Sequence, residues 1–150
     1  MRILIDADGC PVVDLAIKAA KKYGLECIIL ADTAHVFEKP GAKTVTVSKG
    51  ADSVDFALVN LVATGDIVVT QDYGLAAMCL ARKGLPISQN GMVYDHHNID
   101  SLLLARHTAR KIRNSGGRLK GPKKRTPDQD RLFSEALNRL ITDGLEAAKR

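Results

Sequence analysis

The segment Ile3-Leu4-Ile5-Asp6-Ala7-Asp8 decides the fold, because it is a short apolar run that ends at two carboxylates. The segment Asp66-Ile67-Val68-Val69-Thr70-Gln71-Asp72 has a similar form, with a buried-type run followed by a polar residue and an acid. Further apolar runs occur at residues 27–30 and 44–47, and helical patterns separate the runs. Short strands that alternate with helices predict βαβ units and an α/β fold with a mostly parallel central sheet.

The helical patterns cover residues 11–24, 51–63, 75–84 and 102–112. A short edge strand is predicted at residues 85–88, because Pro86 cannot donate a hydrogen bond within a central strand. Thr126-Pro127-Asp128-Gln129 has the residues of a helix start, and the helix that follows carries one apolar face. We predict a single domain over residues 1–150. Its core covers about residues 1–100, and a basic helix, a Gly-rich loop and a docking helix occupy about 101–150.

Composition excludes several classes of protein. Hydrophobic residues make up 45% of the chain and charged residues 26%, which is typical of a globular protein and not of a disordered one. No apolar run approaches the ~20 residues that a membrane-spanning helix needs. The three cysteines are scattered without redox or metal-ligand spacing, and the first apolar run meets an acid too early for a signal peptide. We therefore expect a cytoplasmic protein that does not insert into a membrane.

The net charge of +5 is unevenly distributed along the chain. Residues 1–100 hold 9 Lys and Arg against 12 Asp and Glu, whereas residues 101–150 hold 13 against 5. An acidic front part and a basic back part are suited to a polyanionic partner held near a metal ion. The alternative is a basic surface that contacts only solvent.

Acidic residues follow the predicted strands or begin the next helix, where parallel sheets place their ligands. Like charges ~5 Å apart repel by about 3 kcal/mol at an effective dielectric constant of 20, and a hard divalent cation can neutralise such a cluster. The sequence thus predicts a Mg²⁺ or Mn²⁺ site, with five candidate ligands: Asp6, Asp8, Asp52, Asp55 and Asp72. Capping of the first helix is an equal alternative for Asp8, and the choice between Asp52 and Asp55 stays open. Asp66 precedes its strand and is interpreted as a turn residue at the opposite rim.

The basic region supplies candidate phosphate contacts. Arg106, Arg110 and Arg113 are spaced to share one helical face, which favours a row of phosphates. The loop that follows adds Arg118, Lys120, Lys123, Lys124 and Arg125. The alternative is an exposed linker that contacts nothing. Few aromatic residues are available for base stacking, so sequence-specific base reading is not predicted.

The motifs around these acids resemble those of a known family. The segments 6–12, 50–55 and 65–73, together with Asn98-Ile99 and a tail motif at residues 121–133, are similar to the YaiI/YqxD-type family. This resemblance implies a three-layer PIN-like domain, a fold of metal-dependent ribonucleases. Asp6, Asp55 (or Asp52), Thr70 and Asp72 match its site pattern, while Gly74 stands where a Pro is expected.

Three functional hypotheses follow. The first is a Mg²⁺- or Mn²⁺-dependent nuclease that hydrolyses phosphodiesters of RNA, with Asp6, Asp55, Thr70 and Asp72 in the catalytic site. The second is a non-catalytic RNA-binding or assembly module with the same fold. The third is a small-molecule phosphatase of the haloacid-dehalogenase type, in which the first Asp of Asp6-Ala7-Asp8 attacks phosphorus.

Overall fold

A computed structural model describes residues 1–32, 38–50, 52–117 and 124–150. The strands are β1 (Arg2–Asp6), β2 (Glu26–Asp32), β3 (Lys43–Val47), β4 (Ile67–Val69) and β5 (Leu85–Ile87). The helices are α1 (Val13–Tyr23), α2 (Ser53–Leu61), α3 (Tyr73–Ala81), α4 (Ile99–Asn114) and α5 (Pro127–Ala148).

The strands form one sheet in the order β3-β2-β1-β4-β5. Each of these four strand pairs is parallel, with Ile3 of β1 opposite Cys27 of β2 on one side and Ile67 of β4 on the other. Parallel strands that are covered on both faces are apolar along their length, which explains why β1 and β4 are continuous buried runs. The predicted parallel sheet is confirmed, and β5, which contains Pro86, lies at an edge as expected.

Helices cover both faces of the sheet. Because successive side chains of a strand point to opposite faces, Ile3 and Ile5 pack with α1 and α5, whereas Leu4 packs with α2 and α3. The apolar face of α5 consists of Phe133, Leu137 and Ile141, all of them buried in the α1 layer. Helix α4 packs on the outer side of α3. These layers confirm the predicted three-layer α/β fold.

The first four helices begin two or three residues away from their predicted starts. Helix α2 begins at Ser53 and not at residue 51, and α4 begins at Ile99 and not at Leu102. Helix α1 begins at Val13 and not at Pro11, because a turn closed by the Cys10 amide and the Ala7 carbonyl (3.0 Å) occupies the preceding residues. Helix α3 begins at Tyr73, two residues before the predicted Leu75. The start of α5 is as predicted: Pro127 is its first residue, and the Gln129 side chain accepts a hydrogen bond from the Thr126 amide at 2.8 Å. None of the described helices is long and apolar enough to cross a bilayer.

A buried ion pair joins the amino ends of β1 and β4. Asp66 accepts hydrogen bonds from the Arg2 amide, from the Arg2 guanidinium and from the Ala63 amide, at distances between 2.7 and 3.1 Å. The Asp66 side chain is only 4% exposed. Asp66 therefore lies at the rim opposite to the carboxyl ends of the strands, as the sequence suggested.

The loop after β5 packs directly against the backbone of α5. Gly91 has a φ of 86°, and a Cβ added there would lie 2.6 Å from the Leu132 carbonyl oxygen. We therefore expect Gly91→Ala to lower the free energy of unfolding by about 2 kcal/mol or more, since left-handed backbone already costs ~1–2 kcal/mol for a residue with a Cβ. Chemical denaturation measures the change.

Gly65→Ala is the matched control for this substitution. Gly65 has a nearly identical φ of 84°, and no atom lies within 4 Å of a Cβ added there. The difference between the two variants isolates the contact with α5. Equal losses in both would show that the loop does not depend on this close approach.

Candidate functional site

The strand order reverses between β1 and β4, and ligands of open parallel sheets bind at such a point. Asp6 is the last residue of β1, and Thr70 follows β4 directly. The Thr70 hydroxyl donates a 2.8 Å hydrogen bond to Oδ2 of Asp6. The segments 3–8 and 66–72 therefore meet side by side at the carboxyl edge of the sheet.

Thr70 also connects Asp6 to Asp72. Its Oγ1 accepts a 3.0 Å hydrogen bond from the Asp72 amide, so one hydroxyl contacts both acidic residues. Oδ1 of Asp72 in turn accepts a 3.1 Å bond from the Leu75 amide and caps the start of α3. The cap and the threonine fix Asp72 at this edge.

Asp55 lies in the first turn of a third element, α2, near enough to this edge that the charges of Asp72 and Asp6 act on its carboxyl group. Burial, together with the charges of Asp72, Asp6 and Asp52, raises the pKa of Asp55 to about 6. Burial also raises the pKa of Asp6, with added repulsion from Asp72 and Asp8, while the hydrogen bond from Thr70 opposes the shift. Asp6, Asp55 and Asp72 therefore form one electrostatically coupled group.

Asp52 and Asp8 differ in their position. Asp52 is exposed at the start of α2, with a left-handed φ of 63°, so the partly buried Asp55 is the better placed of the two α2 acids. Asp8 lines a cavity of about 60 Å³ together with Asp6 and Thr70. The N-cap of α1 is Val12, so Asp8 does not occupy the capping position of that helix.

The donor chemistry of this edge fits a divalent ion, although the side chains do not form a closed cage. Within the described ranges, no three His, Cys, Asp or Glu side chains are arranged to hold a metal ion. The described hydrogen bonds use Oδ2 of Asp6 and Oδ1 of Asp72, so the second oxygen of each carboxylate is available. Mg²⁺ is commonly held by one or two carboxylates while it keeps several waters. Asp6 and Asp72, with Asp55 beside them, suit an ion of that kind.

The predicted basic residues fall into four groups, the last of which is Arg125 alone. Arg106 reaches the acidic edge, where its Nη1 lies 3.4 Å from Oδ1 of Asp72. Arg110, Arg113 and Lys124 are exposed. Arg118, Lys120 and Lys123 lie outside the described residues.

Arg125 is engaged within the protein. Its Nε donates to Asp130 at 2.7 Å, Nη1 to the Asn90 side chain at 2.9 Å and Nη2 to the Gln89 carbonyl at 2.8 Å. These bonds tie the start of α5 to the loop after β5. Arg125 therefore has a structural role that the sequence interpretation, which placed it on nucleic acid, did not include.

Sequence reasoning missed two amide side chains at the cavity. Gln71 and Gln89 line it beside Asp6, and Oε1 of Gln71 accepts a 2.8 Å bond from the Gln89 amide. Gln71 could have been noticed, because it stands between Thr70 and Asp72. Gln89 carries no local signal, since only the pairing of β4 with β5 brings it to the site.

Tyr94 and Tyr73 are packing residues. Tyr94 is 2% exposed and donates a 3.1 Å hydrogen bond to the Thr70 carbonyl, and its ring meets the edge of the Tyr73 ring at a centroid distance of 6.0 Å. Tyr94 therefore supports the strand end that carries Thr70 and is not available for base stacking.

A family model with the description "Uncharacterized BCR, YaiI/YqxD family" matches residues 4–143 of the chain. The chain belongs to this family. A UPF0178 protein of Exiguobacterium sibiricum is 57% identical to this family member over 143 residues, which cover 95% of this chain and 98% of the relative. A UPF0178 protein of Ruminiclostridium cellulolyticum is 49% identical over 91% of this chain and 90% of the relative.

A solved crystal structure of a mutant Rae1 (YacP) from Bacillus subtilis has a general likeness to this YaiI/YqxD chain. The TM-score is 0.42 and the sequence identity 17%, with 99% of each chain covered. At that score and identity, the likeness defines neither an activity nor a partner for the YaiI/YqxD chain.

The raised pKa of Asp55 predicts a gain in stability for Asp55→Asn. The folded chain holds this proton more tightly than the unfolded chain, so the contribution of Asp55 is fully favourable below pH about 4 and is lost as the pH rises through about 6. Without divalent ions, Asp55→Asn should unfold at higher denaturant than the wild type above pH about 6, by about 1 kcal/mol after allowance for solvent screening. The two proteins should be equal near pH 3.

Asp52→Asn is the control for Asp55→Asn. It removes the same charge from an exposed position at the same helix start, so a smaller effect is expected. If Asp55→Asn destabilises the ion-free protein at pH 7.5, the acids do not repel each other as described here.

Proposed function

We propose that this YaiI/YqxD family protein is a Mg²⁺- or Mn²⁺-dependent nuclease that hydrolyses phosphodiester bonds of RNA. The convergence of Asp6, Asp55 and Asp72, from three different elements of the fold, carries the proposal. Acids that raise one another's pKa destabilise the empty site, and a bound dication would relieve the repulsion. A purely structural cap or turn would need only one acid.

Asp6 and Asp72 would hold the ion through their available oxygens, with Asp55 as a third ligand or as a partner of a bound water. When bound, the ion would polarise the phosphate and activate a water molecule. Thr70 keeps Asp6 and Asp72 in place, because its hydroxyl bonds to the side chain of one and the backbone of the other. The Tyr94 hydroxyl holds Thr70 in turn, because it donates a hydrogen bond to the Thr70 carbonyl.

The choice of a polyanionic substrate rests on the basic face of α4. Arg106, Arg110 and Arg113 stand at spacings of four and three residues, and Arg106 reaches the acidic edge itself. A phosphate chain bound along α4 would thus pass over the carboxylates. RNA rather than DNA is the substrate that the family resemblance implies.

A cytoplasmic location belongs to the same proposal. Cys10, Cys27 and Cys79 are all free thiols, and Cys27 and Cys79 are buried. Free cysteines are typical of a reducing compartment. Labelling of the thiols in the protein isolated from its native cells would show whether they are reduced there.

The nuclease proposal is tested with purified protein and mixed RNA, incubated with Mn²⁺ or with EDTA. We expect fragments only in the presence of Mn²⁺. Binding without fragments at any metal concentration would favour the non-catalytic module. Release of phosphate from a small monoester such as para-nitrophenyl phosphate, with intact RNA, would favour the phosphatase.

A further inference from the structure

Arg106 is the arginine of the basic row that contacts the acidic site. Helix α4 packs on α3 through Ile99 and Leu102, which belong to the same apolar cluster as Ala76. This packing places the Arg106 side chain at the start of α3, where Nη1 of Arg106 lies 3.4 Å from Oδ1 of Asp72. Arg106 also lowers the pKa of Asp55, so its charge acts on Asp55 as well as on Asp72.

The ion pair between Arg106 and Asp72 is weak enough for either side chain to exchange its partner for another charged group. The two side chains are 41% and 38% exposed, and 3.4 Å is long for a hydrogen bond between charged groups. The pair between Arg2 and Asp66 in the same protein shows the opposite design, with a distance of 2.7 Å and an aspartate that is 4% exposed. The exposed pair between Arg106 and Asp72 is therefore weak, and its separation costs little compared with that of the buried pair.

Gly74 leaves space for this contact. A Cβ added at Gly74 would lie 3.3 Å from Oδ1 of Asp72 and 3.5 Å from Nη1 of Arg106. A side chain there would press on Oδ1 of Asp72 and would touch Nη1 of Arg106 at an ordinary van der Waals distance. The family resemblance leads one to expect a Pro at this position. Gly74 leaves Oδ1 of Asp72 uncrowded at the point where Arg106 contacts it.

We propose that Arg106 is a phosphate-contacting residue of the acidic site, held by Asp72 until a divalent ion binds there. The inference rests on the proposed function, because it assigns a role to one residue of that site. Oδ1 of Asp72 stays bonded to the Leu75 amide, while its other oxygen is available to the ion. An ion bound to Asp72 would disfavour the guanidinium on the same carboxylate, because the two charges have the same sign. The released guanidinium can bind two oxygens of a phosphate, which a lysine cannot do in the same planar manner.

The first test measures Mn²⁺ binding without RNA, from the electron paramagnetic resonance signal of free Mn²⁺. Arg106→Gln should tighten Mn²⁺ binding about three- to fivefold, since it removes a weak competitor for Asp72. Arg110→Gln removes the same charge one turn further along α4, from an exposed position, and should change the affinity less than about twofold. Equal effects of the two variants, or weaker binding by Arg106→Gln, would overturn the inference.

The second test separates the shape of the guanidinium from its charge. Arg106→Lys keeps the charge and should leave Mn²⁺ affinity close to that of the wild type. Arg106→Lys and Arg106→Gln should both lower kcat/KM for RNA by at least about tenfold, because each lacks the planar pair of donors. Full activity of Arg106→Lys would contradict phosphate contact by the guanidinium.

The outcomes also distinguish this inference from the proposed function. If Arg106→Gln tightens Mn²⁺ binding but no variant and no wild-type protein cleaves RNA, the competition for Asp72 stands and the nuclease proposal and phosphate contact fail. If the wild type cleaves RNA and Arg106→Gln alters neither Mn²⁺ affinity nor kcat/KM, only the role of Arg106 fails. If the wild type takes up no Mn²⁺, both fail.

Discussion

Asp6→Asn should lower the rate of Mn²⁺-dependent RNA cleavage about a hundredfold or more. Even the loss of a residue that only supports a metal ligand commonly costs 10–100-fold, and Asp6 would itself be a ligand. Asparagine has nearly the same shape, and its carbonyl oxygen can still accept the hydrogen bond that Thr70 donates to Asp6 at 2.8 Å. The change therefore removes charge and metal affinity while it keeps the contact between β1 and β4. Initial rates on labelled RNA over a range of Mn²⁺ concentrations measure the effect.

The control for this substitution is Asp143→Asn. Asp143 is exposed on α5, next to Gly144, which faces Met1 at the amino end of β1. It carries the same charge at the far edge of the sheet and should leave the rate unchanged. Asp6→Asn should also be at least as stable as the wild type without metal, because one repelling charge is gone. Undiminished cleavage by Asp6→Asn would remove this residue from the site.

Asp66→Ala should lower the free energy of unfolding by about 3–5 kcal/mol, because removing one member of a buried ion pair leaves the charge of the other member, Arg2, without compensation. Asp66 accepts four hydrogen bonds, three from Arg2 and one from the Ala63 amide. Its loss would leave those donors unsatisfied where β1 and β4 begin. Domains of this size are stable by only about 5–15 kcal/mol, so the effect is a large part of the total. Urea denaturation followed by circular dichroism gives the value.

Arg131→Gln is the comparison for Asp66→Ala. Arg131 also pairs with an acid, Glu135 at 3.0 Å, but both side chains are more than half exposed on α5. Because solvent screens such pairs, no measurable change in stability is expected. Similar losses in the two variants would show that burial does not decide the strength of ion pairs in this protein.

Much of the fold could be predicted from local patterns. Val68 and Val69 belong to a run too apolar for a surface strand, and Gly24, at the end of α1, has the left-handed φ of 66° that a C-terminal cap requires. The position of Asp6 and Asp72 at one edge followed from the parallel sheet, because all parallel strands end on the same side. The sequence did not give the strand order, which depends on how the helices fill both faces.

The parts of the site that could not be predicted depend on long-range contacts. Gln89 reaches the cavity only because β5 pairs with β4. Arg125 bonds to Gln89 and Asn90 because the start of α5 packs beside the loop that follows β5. In the sequence, Arg125 is one cation of a basic run, with nothing to separate it from Lys124. Likewise, the choice between Asp52 and Asp55 required the actual turn at the start of α2, where Asp52 adopts a left-handed φ.

The central claim is that Asp6, Asp55 and Asp72 meet closely enough to bind a divalent ion. A crystal structure of the protein grown with Mn²⁺, with anomalous diffraction data collected to locate the manganese, tests this most directly. We predict an anomalous peak within about 2.0–2.3 Å of one oxygen of Asp6 and one of Asp72, in the range of Mg²⁺-like coordination. A protein saturated with Mn²⁺ whose anomalous peaks all lie elsewhere would contradict the account.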